Sequence, residues 1–225
     1  MLTLVLTRHG ATPRSTPEQH LGQRLDVPIS DDGRAAAIAL GARLAGIQFD
    51  RVVSSPLLRA VQTAELAAQK QPVERDPRLM EMDYGRWEGL TYAQIDEADA
   101  AYRRRWEQDP ARLPCPGGES GNQVAARVIS FIDELLDWAE GMDGAGVPAG
   151  TEPDRCVLVV GHSSTNRILL CVALGVSLRE YRRRFVQASG SLTVLRYDHR
   201  RGPGARLLLA NDVSHLRGIV GETWG

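Results

Sequence analysis

Lysine is nearly absent from this chain of 225 residues. Lys70 is the sole example, so arginine carries almost all of the positive charge. GC-rich coding produces that bias as readily as function does, and nothing catalytic is drawn from it. Cysteine is scarce as well. Cys115, Cys156 and Cys171 are odd in number and far apart, so neither a disulfide framework nor a CxxC or Cys/His zinc arrangement is indicated. Cys156 and Cys171 fall in apolar runs and read as small core side chains. No apolar run approaches the roughly 18 residues of a membrane span. The N-terminus lacks the basic residues that precede the apolar core of an export signal, and the expected location is cytoplasmic. A formal net charge of −1 at pH 7 argues against general binding to nucleic acid or an anionic membrane. Internal repeats are missing too.

What is present starts with the first ten residues. Leu4-Val5-Leu6-Thr7 is a continuous apolar run that ends abruptly in Arg8-His9-Gly10. Such a run reads as a strand buried on both faces, as in a parallel sheet. Ligands bind just beyond the carboxyl ends of such strands in open α/β sheets. Arginine brings a planar fork of donors suited to phosphate, and histidine is nucleophilic near neutral pH. Residues 155–162 repeat the design: an apolar strand delivers His162.

Between and beyond these strands the pattern alternates. Residues 11–28 read as a polar loop, Ser30 as the N-cap of a helix over 35–44, and 49–54 as a second strand. Ser55-Pro56 marks the next helix start, carrying Arg59. An edge strand follows at 73–75, then a loop at 79–89 dense in charge and aromatics. Helices are expected over 91–107, 120–140, 167–174 and 178–185, and final strands at 192–197 and 207–210. The fold class is α/β, with a mostly parallel central sheet flanked by helices on both faces. One domain spans 1–225, with 87–119 as a helical excursion over the strand ends and 141–154 as a Gly- and Pro-rich surface loop.

Arg8, His9, Arg59 and His162 can converge at such strand ends. Two guanidiniums would give charge-assisted bonds to phosphoryl oxygens. His9 attacking phosphorus would form a phosphohistidine, and His162 could donate to the equatorial oxygens. The leaving alkoxide needs an acid, and Glu81 is the candidate, because an anionic substrate and partial burial favour its protonated form. Singly, each residue is unremarkable: a lone Arg-His-Gly arises by chance, and isolated Arg59 or Glu81 would be solvated by default.

Jointly they resemble the histidine phosphatase superfamily, the group that includes cofactor-dependent phosphoglycerate mutases. The motifs are Leu6-Thr7-Arg8-His9-Gly10-Ala11-Thr12, Ser54-Ser55-Pro56-Leu57-Leu58-Arg59-Ala60 and Leu79-Met80-Glu81 through Glu88-Gly89. Leu21-Gly22 through Gly33, Pro116-Gly117-Gly118-Glu119-Ser120 and Val159-Val160-Gly161-His162-Ser163 complete a match spanning nearly the whole chain in family order. The resemblance implies that His9 is the phosphorylated nucleophile, Arg8, Arg59 and His162 the phosphate pocket, and Glu81 the proton donor. It gives Glu88 a structural task. It implies no metal and no cofactor, since arginine and histidine already neutralise the phosphoryl charge.

Two departures bear on substrate. Arg14-Ser15 stands where many members carry Trp-Asn, and Ser163 replaces a glycine. Thr12, Arg14, Gly22 and Ser163 are the candidate substrate contacts. Arg14 meets either a second anionic group or solvent, and Arg103 to Arg105 read as a solvated helix face. Residues 102–116 resemble the shorter phosphatase members rather than the mutases, whose longer insertion shields the phosphoenzyme. The expected function is metal-independent hydrolysis of a small phosphorylated metabolite. A phosphoglycerate-type mutase and a catalytically silent phospholigand-binding domain are the alternatives. A homodimer stays open, because a helix face or strand edge can serve as an interface without any sequence mark.

Overall fold

Burial is nearly continuous along β1 (Leu2–Arg8) and β4 (Arg155–Gly161), and the alternating side-chain direction of a strand sorts their apolar residues onto two sheet faces. The computed structural model describes residues 1–141, 154–198 and 204–218. Leu2, Leu4 and Leu6 join Val157 and Val159 on one face, while Val5, Leu158 and Val160 point to the other. The first face packs against α4 (Gly121–Gly141) and α5 (Ser163–Leu174), and the second against α1 (Asp31–Arg43) and α2 (Leu58–Ala67). Burial of two apolar faces drives this layering. The α4 stripe is as expected from its period: Val124, Val128, Ile132 and Leu135 are buried, with Leu136 half-buried.

The sheet has six strands in the order β3-β2-β4-β1-β5-β6, with β2 at Arg51–Ser54, β3 at Glu74–Arg75, β5 at Leu192–Tyr197 and β6 at Ala205–Asp212. Strands β1 to β4 are mutually parallel, β5 runs antiparallel to β1, and β6 antiparallel to β5. A mostly parallel sheet covered by helices is therefore the observed class. The link from β4 through α5 and α6 (Tyr181–Arg184) into β5 returns the chain antiparallel to β1, which strand sequence alone does not specify. Between β3 and α4 lie two 3₁₀ turns, Pro77–Leu79 and Gly85–Trp87, and helix α3 (Tyr92–Gln108). Thr91 caps α3 with a full capping box.

At α1 the N-cap read at Ser30 is observed: Ser30 accepts from the Gly33 N–H, Asp31 and Asp32 form the acidic first turn, and the body of the helix, expected over 35–44, follows to Arg43. Two helix starts, those of α2 and α5, differ from the sequence reading. Ser55 is not the N-cap of α2, which is Leu57 with no side-chain bond of its own; the serine hydroxyl accepts from the Leu57 N–H at 3.3 Å and lies 2.8 Å from His162 Nε2. Helix α5 begins at Ser163 rather than 167, so residues 163–166 form its first turn instead of preceding it. Apart from its two ends, the loop expected at 141–154 lies outside the described residues.

Leu158 is fully buried at the centre of the sheet, between the β1 and β2 partners Val5 and Val52. Leu158→Ala is expected to lower the unfolding free energy by about 3 kcal/mol. Urea denaturation checks this, with an unchanged m-value showing that the fold is retained.

Candidate active site

The strand register places the two histidines. Arg8 pairs with Gly161 across the β1–β4 ladder, and the His9 N–H donates to the Gly161 carbonyl at 3.0 Å. The imidazoles of His9 and His162 thus stand together, with ring centroids 5.0 Å apart. Gly10 then lets the chain pass against α1: a Cβ there would sit 2.6 Å from the Gly33 carbonyl oxygen. Thr63 accepts the Gly10 N–H at 3.0 Å.

His9 Nδ1 lies 2.7 Å from the Gly10 carbonyl. A carbonyl only accepts, so Nδ1 carries the proton and Nε2 keeps its lone pair. Burial, reinforced by the Arg59 and Arg8 cations, holds the His9 pKa well below the usual histidine value. His162 is lowered for the same first reason, with Arg59 next. Its Nδ1 has no hydrogen-bond partner among the described residues.

Glu81 is 4% exposed and lies at the N-terminus of α5. Its carboxylate accepts from the Ser164 and Thr165 N–H groups at 3.1 Å each, from the Thr165 hydroxyl at 3.1 Å and from the Met82 N–H at 2.9 Å. The early start of α5 creates this cradle, since first-turn amides have no partner inside the helix. Arg8 donates to the Gln187 carbonyl at 2.9 Å and faces Glu18 at 3.4 Å.

Arg8, His9, Arg14, Glu81 and Ser163 line one open pocket. Arg59 and His162 lie behind it rather than in its wall. Arg59 is fully buried and donates to the carbonyls of Leu21, Gly22 and Leu25 at 2.8–3.2 Å. Burial lowers its pKa, against the opposing pull of Glu81. Thr12 is buried, its hydroxyl engaged by Ser15 and the Arg14 N–H. Gly22 is a close-approach position, where a Cβ would lie 2.1 Å from Glu88 Oε1. Glu88 accepts from the N–H groups of Gln23, Arg24 and Leu25, fixing the loop that meets Arg59.

Several pocket residues were not foreseen. Tyr84, Tyr92, Arg167 and Arg182 also line it. The spacing Arg167–Arg182 carries no motif, and isolated arginines default to solvent. Ser55, Asn166 and Gln187 act behind the wall: Asn166 donates to the Thr7 carbonyl at 3.0 Å and Gln187 to Thr193 at 3.1 Å. Arg127 and Gln23 grip the Glu81 carbonyl and the Glu119 carboxylate.

A parallel sheet whose adjacent strand ends carry a neutral histidine pair, guanidiniums and a buried carboxylate defines a phosphoryl-transfer class of protein. The chain belongs to the histidine phosphatase superfamily (branch 1), whose profile matches residues 4–212. It is 37% identical over 175 residues to glucosyl-3-phosphoglycerate phosphatase of Mycolicibacterium vanbaalenii, covering 77% of this chain and 74% of that protein. It is 29% identical over 220 residues to phosphoserine phosphatase 1 of Hydrogenobacter thermophilus, covering 96% and 95%. Bacillus stearothermophilus YhfR superposes with a TM-score of 0.82 at 27% identity, covering 96% of this chain and all of that one. The activity class is phosphoric monoester hydrolase of the histidine-phosphatase type. Among the described residues no helix is long and apolar enough to cross a membrane.

His20, set edge-on to Tyr84 and Tyr92, has its pKa lowered to about 4 by burial. An unfolded histidine takes a proton near pH 6.5 while the folded one resists, so the unfolded state gains protons first. Stability is therefore full above about pH 6.5 and lost as the pH falls toward about 4, by up to about 1.4 kcal/mol per pH unit for this group. Urea denaturation between about pH 6.5 and 5.5 should give a shallower slope for His20→Gln than for the wild type.

Proposed function

We propose that the chain hydrolyses phosphate monoesters of small metabolites through a phosphohistidine on His9, without a metal. The observation that carries this reading is the His9 Nδ1 contact to Gly10, which leaves Nε2 unprotonated on a residue of the pocket wall. In the first step Nε2 attacks phosphorus, the phosphorus–oxygen ester bond breaks, and Glu81 gives its proton to the departing alkoxide. In the second step water attacks phosphorus, Glu81 takes a proton from it, and inorganic phosphate leaves His9 free. Arg8 supplies donors to the equatorial oxygens, where charge develops, and His162 packs beside the His9 ring behind the wall. Arg59 supplies fixed positive charge behind them and holds the 21–25 loop in place. Gly22 shapes that loop and Thr12 the turn at Arg14 and Ser15, while Arg14 and Ser163 meet the alcohol portion of the ester.

The substrates for which the relatives are named, a glucosyl-3-phosphoglycerate and phosphoserine, support a small phosphorylated metabolite as the substrate class. Tyr92 of α3 lines the pocket, in keeping with residues 87–119 as a cover within one domain. The three cysteines are free, as a reducing cytoplasm would keep them.

Phosphate release from p-nitrophenyl phosphate, 3-phosphoglycerate and phosphoserine, measured in EDTA, tests the reading. Release without a bisphosphate primer is expected, whereas phosphoryl exchange between phosphoglycerates with no net release would establish a mutase. His9→Ala is expected to lower turnover by more than about 10³-fold with an unchanged melting temperature. Substantial residual activity would remove His9 as nucleophile. Glu81→Gln should slow esters of poor leaving groups by about 10²-fold or more, and p-nitrophenyl phosphate far less, because nitrophenolate leaves without a proton. Equal losses on both would remove Glu81 as the acid.

A further inference from the structure

Four arginines line the pocket, and three of them have acceptors. Arg8 has the Gln187 carbonyl and Glu18, and Arg14 has the Gln19 side chain at 2.8 Å. Arg182 donates to the Tyr92 hydroxyl at 3.0 Å and lies over the Trp106 ring, 4.7 Å from its centroid. Arg167, on the first turns of α5, has no hydrogen bond or ion pair among the described residues, and its Nε is buried without a partner. After burial itself, the like charges of Arg8 and then Arg182 depress its pKa.

A half-buried guanidinium beside two other cations is unfavourable in the free protein, and an anion at its fork relieves both burial and repulsion. The cations acting on His9 are Arg59 and Arg8, whereas those acting on Arg167 are Arg8 and Arg182. Helix α5 packs against α6, which carries Arg182, and Arg167, Arg182 and Tyr92 line the same pocket.

We propose that Arg167, backed by Arg182, forms a second anion subsite that binds a carboxylate on the alcohol portion of the phosphate ester. This rests on the phosphomonoesterase reading and narrows it to esters that carry a second negative charge. A carboxylate fits better than a second phosphate, because one partnerless guanidinium offers one charge and a planar fork matched to two oxygens. Arg182 is held in line by its ring contact and by Tyr92, whose hydroxyl proton is left to point at the anion. Arg167 is a specificity residue and takes no part in bond making.

The test compares 3-phosphoglycerate with glycerol 3-phosphate, which differ by a carboxylate against a hydroxymethyl group. Binding is read by calorimetry on the His9→Ala protein, so that turnover is not needed. The carboxylate ester is expected to bind at least about tenfold tighter. Adding Arg167→Met should weaken it by about tenfold or more while moving glycerol 3-phosphate by less than about threefold. Arg167→Lys, which keeps the charge without the fork, should fall between. Equal affinity for the two esters, or equal weakening of both, overturns the subsite. With His9 intact, Arg167→Met should leave kcat/KM for p-nitrophenyl phosphate within about threefold of wild type, and a larger loss would return Arg167 to the phosphoryl pocket. If the wild type releases no phosphate from any ester, the hydrolase reading fails alone, since calorimetry still decides the subsite.

Discussion

The in-register pairing of β1 with β4 is the constraint on which the site depends. It sets Arg8 against Gly161, and the next residue of each strand is a histidine. Parallel strands advance together, so both imidazoles leave the sheet at one level and meet at 5.0 Å. A slip of one residue would turn Leu4, Leu6, Val157 and Val159 out of their core face and carry the histidines apart. The apolar layers and the chemistry are thus locked by one hydrogen-bond ladder. Because both rings are buried beside guanidiniums, they stay neutral, the state in which a ring nitrogen keeps a lone pair.

Around this pair the chain uses charged side chains to hold loops. Arg59 gathers three carbonyls of the 21–25 segment, and Glu88 gathers three N–H groups of the same segment from the other side. Glu119 and Arg127 do likewise for the backbone at Glu81. Loops have no ladder of their own, and buried backbone groups need partners. Family motifs that look catalytic in a sequence therefore include residues whose contacts are to the backbone.

The layered fold was legible because strand runs and helix stripes have distinct periods, as in the Leu4-Val5-Leu6 run and the Val124 to Leu135 stripe. The strand-end residues Arg8, His9 and His162 were legible for the same reason: they interrupt apolar runs. Helix boundaries were less so. Residues 163–166 are all small or polar, and their composition suits a cap as well as a first turn, so the cradle for Glu81 was hidden. Ser55 was misplaced because Ser-Pro is a helix-start signal, yet its hydroxyl has a partner 107 residues away. Arg167 and Arg182 carried no signal at all, since their meeting depends on how α5 and α6 are folded back against α3.

The glycines at positions 10 and 33 have a further consequence. A methyl group on Gly33 would fall 2.1 Å from the Ala11 carbonyl, just as one on Gly10 would strike Gly33. Main chain touches main chain there, with no flexible atoms to yield. The loop that begins at Ala11 is therefore anchored at both roots, next to the nucleophile, by contacts that tolerate no side chain. Its tip, where Arg14, Glu18 and Gln19 face the pocket, is under no such restriction. New substrate preferences can be grafted onto that tip, by mutation in nature or in the laboratory, while the roots keep the reacting group in place.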